Sequence, residues 1–235
     1  MEKKNIVVLT GAGISAESGI PTFRDANGLW EGHDVMAVAS IEGWKRNPAL
    51  VQEFYNLRRK AALAARPNAA HLALRQLESA YQVTIVTQNV DLLHEQAGST
   101  KIIHLHGRLD QSKSSIDDRL IYPIESEEIK MGDLCEKGSQ LRPNIVWFGE
   151  AVPEIERAMS YVSRADILMI IGTSLQVYPA AGLRQFAPHY CRSFLIDKQI
   201  PNSTTLGRIT CFEEAATVGV PILVEQLLQE ASVKD

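Results

Sequence analysis

The stretch from Leu9 to Arg24, Leu-Thr-Gly-Ala-Gly-Ile-Ser-Ala-Glu-Ser-Gly-Ile-Pro-Thr-Phe-Arg, constrains this chain more than any other. It follows Ile6-Val7-Val8-Leu9, an apolar run with the β-branched bias of a buried strand. A strand that runs straight into Gly-Ala-Gly is the entry to a dinucleotide-binding turn. Gly11 can take the tight turn, Gly13 lets backbone approach a pyrophosphate without a Cβ in the way, and the N–H groups that follow would face the phosphates. Gly19 comes later than the usual third glycine, so the glycines alone are equally compatible with a plain strand-to-helix turn. The tail, Pro21-Thr-Phe-Arg24, adds an aromatic and a cation just past the turn.

At 235 residues and 45% hydrophobic content the chain suits one large domain, or one domain with a small insertion. A formal net charge of -4 argues against general binding to nucleic acid or to an anionic membrane. The three cysteines, Cys135, Cys191 and Cys211, are far apart and odd in number, which fits a reducing compartment without a disulfide framework. No run approaches the roughly 18 apolar residues of a membrane span, and the first apolar run is too short for a signal peptide. The expectation is a soluble cytoplasmic protein.

Beyond a turn-rich segment at 25–32, helical spacing predicts helix over 41–65, with Pro48 at a helix start, and again from Pro67 to about Tyr81. Within the first, Tyr55 and Arg58 share a face. Val83–Thr87 reads as a strand ending in Gln88-Asn-Val-Asp91, and Leu92–Gln96 as a turn or two of helix. Ile102–Gly107 is a short strand whose alternation sends His104 and His106 to one face if it is extended. The polar stretch 108–142 reads as an irregular insertion, after which strand structure resumes at 144–148. A helix at 153–164, the strand Ile167–Ile171 ending in Gly172-Thr-Ser174, a helix at 179–187, the strand 193–197 and a helix at about 220–231 complete the chain. This alternation predicts a doubly wound parallel sheet with a smaller inserted module. The smaller module is expected to comprise about 31–80 and 108–143, and the larger part about 1–30, 83–107 and 144–235.

Four strand ends then converge on one crevice: Gly11–Arg24, Gln88–Asp91, His106-Gly107 and Gly172–Ser174. Each has a plain alternative. Asn89 and Asp91 can cap a helix, a lone histidine is more often structural, and Tyr55 with Arg58 can be an amphipathic pair with snorkelling tips. Four such features at one sheet edge favour a shared site.

The motifs Gly11–Arg24, Thr87-Gln-Asn-Val-Asp-Leu-Leu-His94, His104-Leu-His-Gly107, Leu141–Glu150 and Gly172-Thr-Ser-Leu-Gln-Val-Tyr-Pro179 together resemble the motif set of the sirtuins, NAD-dependent protein-lysine deacylases. The resemblance runs in order from about residue 5 to 228. It implies a Rossmann-like fold with NAD held by Gly11, Ala12, Gly13, Glu17, Thr22, Phe23, Arg24 and Trp30. It likewise implies roles for Gln88, Asn89, Val90 and Asp91 at the ribose and nicotinamide, and for Gly172, Thr173, Ser174, Asp197 and Ala216 on the adenosine side. His106 matches the family's general base, with Asn89 beside it as a second catalytic residue. Acyl-lysine peptides would lie strand-like along Val146, Phe148, Gly149 and Glu150. The acyl oxygen attacks the ribose carbon that loses nicotinamide, and the histidine takes a ribose-hydroxyl proton, which is typically worth about 10²–10⁴ in rate. Protein mono-ADP-ribosyl transfer and an idle NAD-binding module are the competing readings.

Two departures sharpen the reading. The family's paired zinc cysteines would fall near Ser114, Asp117, Leu134 and Lys137, and Cys135 is the only thiol there. Four tetrahedral ligands cannot be assembled from this stretch, so no zinc is expected, and the Leu120–Ile124 patch is a candidate for holding the module instead. Second, Tyr55-Asn-Leu-Arg58 matches the Tyr-x-x-Arg pair of the sirtuin class that prefers acidic acyl groups. An arginine fork and a tyrosine hydroxyl suit a carboxylate, so succinyl- or malonyl-lysine is the expected substrate, with some deacetylation retained. Asp197, often Asn in the family, still accepts hydrogen bonds from ribose hydroxyls.

Overall fold

The glycine-bearing turn leaves the middle strand of a six-stranded parallel sheet. The computed structural model describes residues 3–22, 29–200 and 208–233. In chain order its elements are β1 (Asn5–Thr10), the hairpin β2 (Leu29–Trp30) and β3 (His33–Asp34), α1 (Val35–Val38), α2 (Ile41–Arg46), α3 (Pro48–Ala64) and α4 (Ala69–Gln76). Then come β4 (Gln82–Thr87), α5 (Leu93–Gln96), β5 (Ile102–His104), β6 (Gly107–Ser114), β7 (Ile121–Pro123) and β8 (Leu141–Ile145). The chain closes with α6 (Ile155–Val162), β9 (Ile167–Ile171), β10 (Arg192–Ile196), β11 (Ile209–Phe212) and α7 (Ala216–Ser232). Among the described residues no helix is long and apolar enough to cross a membrane.

The large sheet runs β5-β4-β1-β9-β10-β11. Numbered along the chain, that is order 3-2-1-4-5-6, the doubly wound Rossmann-like order, with its switch point between β1 and β9. Alternation in β1 feeds two core layers. Ile6 and Val8 pack with Leu74 of α4 and with Val220 and Leu223 of α7. Val7 and Leu9 face Ala158 and Val162 of α6. A third core joins α1–α3 to the small antiparallel sheet β7-β6-β8, through Val51, Phe54 and Tyr55 against Leu109, Ile145 and Trp147.

Several boundaries differ from the sequence reading, each for a local reason. The helical run at 41–65 breaks at Asn47, whose side chain accepts the Leu50 N–H while Pro48 starts α3. Residues 69–79, expected in the smaller module, pack against the parallel sheet through Ala70, Leu74 and Leu77. The insertion is more regular than its composition suggests. β6 escapes a periodicity search because its buried positions near the end are Ser112, Lys113 and Ser114, with Lys113 paired to Asp118 at 2.8 Å. β8 begins at Leu141 rather than Asn144, the expected helix at 179–187 is a 3-10 run over 180–186, and the edge strand β11 had no predicted counterpart.

Candidate active site

At the switch point the turns after β1 and β9 touch backbone to backbone. The Gly11 N–H donates to Ile171 O at 3.0 Å and the Gly13 N–H to Gly172 O at 2.8 Å. A Cβ on Gly13 would lie 2.6 Å from Gly172 Cα, and one on Gly11 2.8 Å from Gly172 O. To the expected reason for Gly13, approach to a phosphate, the fold adds a second. The space its missing side chain leaves is taken by Gly172, which itself has φ +60°.

A cavity of about 670 Å³ opens over these turns. Gly11, Ala12, Gly13 and Thr22 line it from β1. Gln88, Asn89, Val90 and Asp91 line it beyond β4, and His106 beyond β5. Gly172, Thr173 and Ser174, with Asp197 and Ala216, form the opposite wall. Trp30, Tyr55 and Arg58 reach it from the helical side, and Val146, Phe148, Gly149 and Glu150 from the segment after β8. Glu17 stands apart from the lining. Its carboxylate accepts the Thr217 N–H and hydroxyl at 3.2 and 2.5 Å and pairs with Lys198 at 3.3 Å, tying the first turn to the start of α7. Phe23 and Arg24 lie outside the described residues.

The strand carrying the two histidines stops at His104, so the pair does not share one face. His104 Nε2 meets the Glu95 carboxylate at 2.7 Å, while His106 sits in the turn before Gly107, whose φ is +84°. His106 Nδ1 lies 3.1 Å from Gln88 O. A carbonyl only accepts, so Nδ1 carries the proton and Nε2 is left with its lone pair. Burial lowers the His106 pKa and so favours the neutral ring, partly opposed by that hydrogen bond.

Ser15 links the polar floor. Its hydroxyl donates to Asp91 Oδ2 at 3.0 Å and accepts from Asn89 Nδ2 at 3.1 Å. Asp91 Oδ1 also accepts the Leu93 N–H at 3.1 Å at the start of α5, while the residue lines the cavity. Burial raises the Asp91 pKa, against the Leu93 and Ser15 bonds that stabilise the charge. Below lies a buried relay: Thr10 Oγ1 donates to Thr87 Oγ1 at 2.8 Å, Thr87 Oγ1 accepts the Asn89 N–H at 3.0 Å, and His94 Nε2 sits 3.1 Å from Thr10 Oγ1.

Comparison with known proteins agrees with this geometry. The Sir2 family model matches residues 11–179. The chain belongs to the Sir2 family. An NAD-dependent protein deacylase of Helicobacter pylori is 53% identical over 97% of this chain and the whole of the relative. A protein of the same name from Bacteroides thetaiotaomicron is 53% identical over 96% of this chain and 98% of its own length. Among solved structures, a Sir2 homologue–NAD complex superposes with a TM-score of 0.87 at 37% identity, covering 98% of this chain and 91% of that one. A Sir2–p53 peptide–NAD+ complex gives 0.77 at 29% identity, covering 99% and 95%.

In this Sir2-family chain the helical end of the cavity is aromatic and cationic. Tyr55 and Arg58 are 2% and 8% exposed. Burial raises the Tyr55 pKa and lowers that of Arg58, whose charge is favoured in turn by Glu31. The guanidinium lies 4.0 Å from the centre of the Trp30 ring. Deeper in the wall, buried Arg142 pairs with Glu150 and stacks 4.0 Å over the Trp147 ring, and the Trp147 backbone N–H donates to Glu150 Oε2 at 2.8 Å. Glu150 thus braces the wall. The 146–150 backbone is also partly committed. The N–H groups of Val146, Phe148 and Glu150 donate to His106 O, Ala39 O and Trp147 O at 2.9, 2.9 and 3.0 Å.

Among the residues that sequence reasoning gave no role, Ser15, Thr10 and Thr87 hold the polar floor together. Ser15 lies inside the glycine motif, but a serine there carries no signal until its two partners are known. In the small module, Asp117 binds Arg119 and Lys137 at 3.0 and 2.7 Å, and the Ser114 and Ser139 hydroxyls are 2.9 Å apart beside the Cys135 thiol. Among the described residues no cluster of three or more His, Cys, Asp or Glu is placed to hold a metal ion.

Proposed function

We propose that this chain removes acidic acyl groups, succinyl or malonyl, from protein lysine in preference to acetyl. The coarser activity is that of its relatives: it is an NAD-dependent protein deacylase. The observation that carries the finer reading is that Tyr55 and Arg58, both buried, open onto the same cavity as His106 and the two glycine turns. An acetyl group has nothing to offer a buried guanidinium, whereas a succinyl or malonyl carboxylate matches its fork.

The residues fit a dinucleotide. The glycine-to-glycine contact keeps side chains out of the switch point, and a buried carboxylate and amide, Asp91 and Asn89, stand ready for a carboxamide and a ribose. In the proposed arrangement Gly11–Gly13, Gly172–Ser174, Asp197 and Ala216 hold NAD, with Gln88–Asp91 at its reactive end. NAD supplies the ribose carbon to which the acyl oxygen is transferred as nicotinamide leaves. His106 Nε2 accepts a ribose-hydroxyl proton, and the Gln88 carbonyl holds the ring in the required tautomer. Asn89, fixed through Ser15 and Thr87, orients that ribose. Tyr55 and Arg58 grip the far end of the acyl chain, and the segment 146–150 seats the peptide.

Nicotinamide release is measured against peptides carrying succinyl-, malonyl- and acetyl-lysine, with the products weighed by mass spectrometry. Free lysine and O-acyl-ADP-ribose, fastest from the acidic acyl peptides, support the reading. ADP-ribosylated protein, or NAD binding without turnover, contradicts it.

A further inference from the structure

Arg58 already has a carboxylate. Its Nη1 lies 3.0 Å from Glu31 Oε1, while its buried Nε has no hydrogen-bond partner among the described residues. The two side chains are unequal: that of Arg58 is 7% exposed and that of Glu31 36%. Trp30, Tyr55 and Arg58 line the cavity, whereas Glu31 stands just outside it.

Glu31 reaches that position from an unusual backbone. It forms, with Gly32, the two-residue loop of the β2–β3 hairpin, where Trp30 pairs with His33. Both loop residues have positive φ, 49° and 82°. Such a turn favours Asn or Asp before Gly, and a glutamate there is disfavoured. The hairpin accepts this and presents a long acidic side chain to Arg58, the buried cation that lines this end of the cavity among the described residues.

We propose that Glu31 is an exchangeable counter-ion for Arg58, holding the guanidinium when the acyl group is neutral and yielding to the substrate's own carboxylate when it is acidic. The inference rests on the acidic-acyl reading above. A buried guanidinium left unpaired is penalised, so a neutral acyl chain is tolerated only while another carboxylate stays in place. When an acidic acyl chain arrives, Glu31 is the partner that leaves. It sits at a solvent-facing hairpin tip and regains water easily, whereas Arg58 is fixed in the core under Trp30. One pocket therefore accepts two classes of acyl-lysine, and Glu31 sets the ratio between them.

The test is Glu31→Gln, assayed on matched succinyl and acetyl peptides. Removing the internal competitor is expected to lower KM for the succinyl peptide about 3- to 10-fold and to raise it for the acetyl peptide by a similar factor, as for a part-exposed ion pair. Glu31→Asp is expected to restore much of the parental ratio. Fluorescence anisotropy of a labelled succinyl-lysine peptide, without NAD, should show the same tightening. Glu31→Gly, which relieves the left-handed backbone, guards against a folding artefact and should shift the ratio as Gln does. Equal KM shifts on both peptides, or none, would overturn the exchange. Arg58→Met run in parallel separates the two ideas. If it abolishes the succinyl preference while Glu31→Gln changes nothing, only the exchange fails; if it leaves succinyl turnover intact, the acidic-acyl reading fails with it.

Discussion

In the proposed mechanism His106 is the base, and one carbonyl and burial suit it to that role. Gln88 O fixes the proton on Nδ1, and desolvation disfavours the imidazolium. Because the pKa is lowered, the neutral form persists below pH 6.5, the ordinary histidine value. The acidic limb of the kcat/KM profile for nicotinamide release is therefore expected below pH 6.5, and His106→Ala should lower kcat/KM by about 10²–10⁴ with the melting temperature unchanged. A limb at or above pH 6.5 would contradict the assignment. At this scale the sequence was informative about which residues meet and less so about why. Gly11 and Gly13 stand out in it, yet a further requirement for them comes from Gly172, some 160 positions along, which no local pattern reveals. Ser15 and Glu31 stayed hidden for the same reason, since each matters only through a partner brought near by the fold.

At the scale of elements, α3 does two jobs on two faces. One face carries Tyr55 and Arg58 to the cavity. The other clasps the inserted module by its main chain. Gln52 Nε2 and Asn56 Nδ2 donate to Ile129 O at 3.1 and 2.9 Å, Asn56 Oδ1 accepts the Ile129 N–H at 3.0 Å, and Arg59 donates to Glu127 O and Ile124 O at 2.6 and 3.2 Å. The apolar patch at 120–124 expected to hold the module has no fully buried residue, Ile121 being 47% exposed, and the clasp seen here is polar. Asn56→Ala leaves Ile129, which is 4% exposed, with an unpartnered N–H, and is expected to destabilise the fold by about 1–3 kcal/mol in urea titrations. The module is also expected to fold without metal. Elemental analysis finding zinc at one equivalent per chain would contradict that. The inner strands of the large sheet were legible because burial on both faces makes them apolar runs, whereas the edge strand β11, with no fully buried residue, was not. β6 was not, because it buries serines and a lysine.

For the whole molecule, the core around the site sets a pH limit on stability. His71 and His94 lie 4.9 Å apart beneath the cavity floor, 0% and 1% exposed. Burial lowers the His71 pKa to about 4 and that of His94 well below its ordinary value. Both take up protons near pH 6.5 when unfolded but not when folded, so the unfolded state binds more protons between about pH 6.5 and 4. Stability is full above that window and falls as pH drops through it, by about 3 kcal/mol for His71 alone. Urea midpoints at pH 7.5 and pH 5 test this; equal midpoints would refute it. The order 3-2-1-4-5-6 brings the ends of β1, β4 and β9 together at one crevice, and α3 delivers a buried cation to its far end. That convergence underlies the proposal that this sirtuin reads the charge of the acyl group. The most direct measurement is kcat/KM on matched succinyl- and acetyl-lysine peptides for the parent and for Arg58→Met. A succinyl preference is expected in the parent, and a loss of about 10- to 100-fold on the succinyl peptide in the variant, the worth of charge-assisted hydrogen bonds. Equal values in the parent, or succinyl turnover unchanged by Arg58→Met, would contradict it.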